Sequence, residues 1–146
     1  MKSKTHKFYH VKLVREGRAS YSTAIKGADD AVAFFQKQIG ANVQENFAAV
    51  YINTRNIPLG WREISRGAGN AVMVQPLDVF LPAIQLAASA LIVAHNHPSD
   101  VAEPSQEDIY FTRRLKEAGK MLGIQLLDHL IVTKEGFTSL KEKGVM

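Results

Sequence analysis

The stretch ALIVAHNHPSDVAEPSQED, residues 90–108, decides the reading of this chain. A continuous apolar run ends in His95-Asn96-His97, Pro98 follows, and a short polar loop leads to Ser105-Gln106-Glu107-Asp108. An apolar run of this length reads as a strand buried on both faces. Beyond it, SQEDIYFTRRLKEAGKMLG (105–123) has helical periodicity. Its apolar stripe is Ile109, Leu115, Ala118, Met121 and Leu122, and Gly123 marks its end. IQLLDHLIV (124–132) then reads as another buried strand.

Working outward, GADDAVAFFQKQIG (27–40) predicts a helix, with Asp29 and Asp30 placed where the helix dipole favours anions. ENFAAVYIN (45–53) and IPLGWREIS (57–65) predict two strands paired across a Thr54-Arg55-Asn56 turn. RGAGN (66–70) is a glycine loop without the spacing of a phosphate loop. AVMV (71–74) predicts a brief strand, and QPLDVFLPAIQLAAS (75–89) an apolar helix that Pro82 interrupts. KFYHVKLVR (7–15) and ASYSTAI (19–25) predict an N-terminal hairpin, and GFTSLKEKGVM (136–146) a closing short helix. Strands alternating with helices argue for an α/β layered sheet.

At 146 residues the chain suits one domain, and 46% hydrophobic with 22% charged residues suits a globular core. No apolar run reaches the ~20 residues of a membrane span. No apolar segment follows the basic N-terminus MKSKTHKFYH, so no secretory signal is expected and the cytoplasm is the expected compartment. The chain has no cysteine, which excludes disulfides, cysteine zinc ligands and a cysteine nucleophile. The net charge is +4, but residues 1–26 hold seven Lys/Arg against Glu16 alone. That segment could contact nucleic acid weakly. It could equally be a solvated edge whose lysines discourage aggregation.

His95 and His97 are two apart, so at a strand end both rings point to one side and can converge on a metal. A helix beginning beside that strand end brings its first turn over the same point, so Asp108 can add a carboxylate. Two histidines and one carboxylate leave zinc a fourth position for water, as in catalytic sites. Ser105-x-x-Asp108 is also the pattern of a capping box. Ser105 can cap while Asp108 ligates.

The pattern H-x-H-P-x(6)-S-x-x-D over residues 95–108 resembles the JAMM motif of the MPN/JAB metalloproteases. Its context, from HNHPSD to LLDHLIV, resembles the RadC-like branch, and the likeness runs over residues 28–146. The resemblance implies a three-layer α/β/α JAB/MPN domain similar to cytidine deaminase, preceded by residues 1–27 as a basic hairpin extension. It implies one zinc per chain on His95, His97 and Asp108. Ser105 would bond the metal water or the oxyanion, and Glu45 would be the catalytic acid/base. His129 also matches the family pattern; it is either a core histidine or a support for the ligands, a role open to Asn96 as well. Two departures stand out. Asp100 occupies a position where RadC-like proteins usually carry Gly, and a hairpin pattern stands where longer relatives carry a helix-hairpin-helix segment.

The first functional expectation is a zinc hydrolase acting on a peptide or protein amide. The second is a DNA-repair-associated accessory protein of the RadC type. A third is a metal-holding scaffold whose function is assembly, since the sequence leaves the oligomeric state, a homodimer included, unspecified. A zinc deaminase is excluded by the missing cysteines.

Overall fold

The computed structural model describes residues 10, 12–14, 24–67 and 74–146. The expected N-terminal hairpin lies almost wholly outside them, as does the expected strand 71–74 apart from Val74. The chain enters the core at Ile25, which is buried. It continues as α1 (Ala28–Phe35), extended by a π-helical turn Gln36–Gly40. Then follow β1 (Asn46–Ile52), β2 (Pro58–Arg66), α2 (Pro76–Gln85), β3 (Ala90–Asn96), α3 (Gln106–Leu122), β4 (Gln125–Val132) and β5 (Phe137–Ser139).

The five strands form one sheet in the order β2-β1-β3-β4-β5. Only β3 and β4, joined through α3, run parallel; the other pairs are antiparallel. β1 and β3 are buried along their whole lengths, as apolar runs covered on both faces require. On one face Ala48, Val50, Ile92 and Ala94 pack against Val32, Phe35 and Ile39 from α1 and its extension. On the other, Ala49, Tyr51, Leu91 and Val93 pack against Phe80 and Ala83 of α2 and Phe111 and Leu115 of α3. The molecule is a three-layer α/β/α sandwich. Pro82 lies inside α2 without ending it; its missing N–H removes one helical hydrogen bond. Among the described residues no helix is long and apolar enough to cross a membrane.

Two expectations are corrected. The apolar stripe read for α3 is rotated: its buried face is Asp108, Phe111, Thr112, Leu115 and Gly119, while Met121 is 89% exposed. Polar Thr112 and small Gly119 carry no hydropathy signal, yet Gly119 sits where a side chain would press into the Ile124 carbonyl. The C-terminal segment forms β5 and a turn rather than a helix. The buried Asp128 carboxylate accepts the Ser139 hydroxyl (2.6 Å) and the Lys141 N–H (3.1 Å). Gly144, at φ +69°, then leaves the helical region within five residues, too few for a helix to propagate.

Candidate metal centre

Alternation along β3 divides its side chains between the layers. Leu91, Val93 and His95 face α2 and α3, whereas Ala90, Ile92, Ala94 and Asn96 face α1. His97 follows directly and returns to the His95 side, so the two Nε2 atoms come within 2.8 Å. The first turn of α3 lies over them. Asp108 Oδ1 is 3.3 Å from His95 Nε2, and Oδ2 is 3.7 Å from His97 Nε2. One ligand atom from each of the three residues falls within a 4.8 Å cluster. Phe47 stacks on the His95 ring at 6.1 Å between centroids and walls the site from the core side.

Ser105 caps α3, and Asp108 completes the capping box while its carboxylate lies against the two histidines. The Asp108 N–H donates to Ser105 Oγ (3.1 Å), and the Ser105 N–H donates to Asp108 Oδ2 (2.8 Å). This reciprocal box aims the carboxylate at the histidines. The Asp100 substitution fits its turn: φ is +60°, which Asp tolerates better than most residues, and its carboxylate turns to the Lys134 N–H (3.3 Å).

Hydrogen-bond direction fixes where the ring protons lie. The Thr112 hydroxyl donates to the Asp108 carbonyl at 2.6 Å, since that carbonyl has no proton to offer. Thr112 Oγ1 must therefore accept from His129 Nδ1, 2.6 Å away. His129 is 0% exposed, and its ring nitrogens meet only the Thr112 hydroxyl and His95 among the described residues, so burial favours the neutral ring. Its Nε2 thus accepts from His95 Nδ1 at 2.8 Å. His97 Nδ1 faces the Val101 carbonyl at 2.7 Å and must donate to it. Both Nε2 lone pairs therefore point into the site beside a carboxylate. Burial pushes the Asp108 carboxyl up, but the two histidines, which donate from Nε2 whenever they carry a second proton, and the Ser105 N–H outweigh it, so the group is an anion that either ring protons or a cation neutralises. Two nitrogen lone pairs and one anionic oxygen converging on a point are a donor set for a metal cation.

The hydrogen bond to Asp108 raises the His97 pKa, against its burial, and Glu45 adds a smaller attraction of the same sign. The half-buried Glu45 is thus within electrostatic reach of the centre. It stands there because Phe47 on β1 pairs with His95 on β3, which puts the residues before β1 beside those after β3. Asn96 points away, to the α1 side. Its Nδ2 donates to the carbonyls of Asn42 (3.1 Å) and Gln44 (2.9 Å), and its Oδ1 accepts the Asn46 N–H (2.6 Å). A single amide between the two histidines therefore holds the loop that carries Glu45.

Sequence reasoning missed Asn42, Asn46 and Thr112. Their partners are distant in the chain, and small polar residues give no periodic signal. His129 reaches the site through a bulge in β4: Leu91 pairs with Leu126 but Ile92 with Asp128, so Leu127 is an extra residue. Strict alternation from Leu126 would have turned Asp128 toward α3 and His129 away from it.

The model of the RadC-like JAB domain family matches residues 25–145. The chain is 37% identical to a UPF0758 protein of Clostridium botulinum, over 92% of this chain and 67% of that one. It is 42% identical to one from a Geobacillus species, over 89% of this chain and 58% of the relative. It is 44% identical to one from Moorella thermoacetica, over 85% of this chain and 54% of the relative. The chain thus spans about half to two thirds of the length of these relatives.

Proposed function

The chain belongs to the RadC-like JAB domain family, and from that premise we propose that it is a zinc-dependent hydrolase of amide or isopeptide bonds. The observation that carries this reading is the convergence of the His95 and His97 Nε2 atoms and the Asp108 carboxylate on one point, with Glu45 within electrostatic reach. His95, His97 and Asp108 would hold the metal. A bound zinc supplies Lewis acidity and makes water acidic enough to act as a nucleophile near pH ~7.

The residues of the chain divide the remaining work. Glu45 takes the proton released by the attacking water and returns it to the leaving amine, which lets one carboxylate serve both half-reactions. Ser105 Oγ already accepts the Asp108 N–H, so its own hydroxyl proton is available to the oxyanion. Phe47, beside the rings, keeps bulk water from the buried side of the centre. Peptide or protein amides are the substrate class this machinery serves.

Digestion of a peptide library by the zinc-loaded chain, with new termini scored by mass spectrometry, tests the reading. Wild type should generate cleavages, and Glu45→Gln should lose them by roughly 10²–10⁴-fold, the usual worth of general acid–base catalysis, while its zinc content stays unchanged. Equal cleavage by both proteins would remove Glu45 from the mechanism.

A further inference from the structure

We propose that Thr112 is a positioning residue for the metal centre, acting through His129 to hold the proton on Nδ1 of His95 and so keep the His95 Nε2 lone pair turned to the cation. The inference rests on the metal-binding reading above. Thr112 and His129 are both 0% exposed, and neither belongs to the cluster of His95, His97 and Asp108 that could hold the ion.

The relay has a fixed direction. It starts at the Asp108 main-chain carbonyl, which can only accept, 2.6 Å from Thr112 Oγ1. The single hydroxyl proton is committed there. Thr112 Oγ1 then accepts from His129 Nδ1 (2.6 Å), and His129 Nε2 accepts from His95 Nδ1 (2.8 Å). Each link leaves one proton position for the next, and the last leaves His95 Nε2 bare. Histidine ligands commonly have their tautomer set in this way, by the partner of the other ring nitrogen. Here the partner is another histidine, which could be either donor or acceptor, so something must decide for it. The α3 carbonyl decides, and Thr112 transmits the decision.

Geometry supports a built device. Thr112 lies one helical turn after Asp108, so the residue that supplies a ligand carboxylate also supplies, from its own carbonyl, the terminus of the relay. The bulge at Leu127 brings His129 to this face. A threonine hydroxyl bonded to the i−4 carbonyl is an ordinary helical arrangement. The second, inter-element bond to His129 is not required by the helix.

The test uses the full chain, zinc, and Thr112→Val beside Thr112→Ser. Valine keeps the shape and removes the hydroxyl; serine keeps the hydroxyl and removes a methyl. Zinc affinity is read by competition with a chromogenic chelator, and ring protonation by long-range ¹H–¹⁵N correlation of the imidazoles in the metal-free protein. We expect Nδ1-protonated His95 and His129 in wild type and in Thr112→Ser. Thr112→Val should show mixed tautomers and a zinc affinity roughly 10- to 100-fold weaker, the usual cost of losing such a partner. Equal affinity in valine and wild type, or equal losses in valine and serine, would overturn the proposal, the latter by showing packing rather than the hydroxyl at work. Wild-type His95 protonated on Nε2 would overturn it without any variant, so a valine form that fails to fold leaves the question decidable. If wild type holds no zinc, the metal reading fails separately, and the ring spectra still decide the relay.

Discussion

Asn96 makes three side-chain hydrogen bonds, two to the loop before β1 and one to Asn46 at its start, although it sits between the two candidate ligands. Asn96→Ala would leave the Asn46 N–H and two carbonyls without partners. At about 1–3 kcal/mol for each buried group left unsatisfied, offset in part by water entering at the loop, the substitution should cost about 3 kcal/mol in stability. Denaturant unfolding checks this, and zinc binding should survive because the ligands face the other way. His97 gives a second expectation. With Nδ1 committed to Val101, the second proton goes on Nε2, the atom the metal needs. The Asp108 hydrogen bond raises the His97 pKa above 6.5, so the proton competes with zinc to a higher pH than at an ordinary histidine. Zinc affinity should therefore begin to fall, as pH is lowered, at a value above 6.5 and keep falling below it. A competition titration across that range checks the sign.

At the level of elements, what was legible in the sequence was local. The apolar run of β3, the two-residue spacing of His95 and His97, and the Ser105-to-Asp108 box all lie within one short stretch, and alternation and helical periodicity act at that range. What was not legible depended on packing between elements. The bulge that turns His129 inward is a feature of the β3–β4 pairing. The Asn46–Asn96 bond spans 50 residues. The buried face of α3 does not follow from hydropathy because Thr112 and Gly119 replace apolar residues on it, while Met121 stands in solvent. Gly119 permits the close approach of α3 to Phe80 and to the start of β4; a β-carbon at this position would lie 3.3 Å from the Phe80 ring. Gly119→Ala should therefore destabilise the fold by about 1–3 kcal/mol through overpacking, against a helix-propensity gain of only about 1 kcal/mol. Thermal unfolding of the variant checks it, and a rise in melting temperature would contradict the packing account.

For the whole molecule, the sandwich matters because it brings three separate segments to one end of the sheet. β3 and the residue after it carry His95 and His97, α3 arches back with Asp108, and the loop before β1 carries Glu45. Each segment is tied to another by buried hydrogen bonds: α3 to β4 and β3 through Thr112 and His129, and β1 to β3 through Asn96. The proposed hydrolase requires this convergence to be a metal centre and not only a capped helix beside two histidines. Metal content by mass spectrometry, on protein purified without added metal and then reconstituted, tests it most directly, with His95→Ala and Asp108→Ala alongside. Wild type should hold about one zinc per chain, the number a single three-ligand centre holds, and both variants should lose it. Wild-type protein without zinc after reconstitution, or variants that retain it, would leave Ser105 and Asp108 as helix caps only.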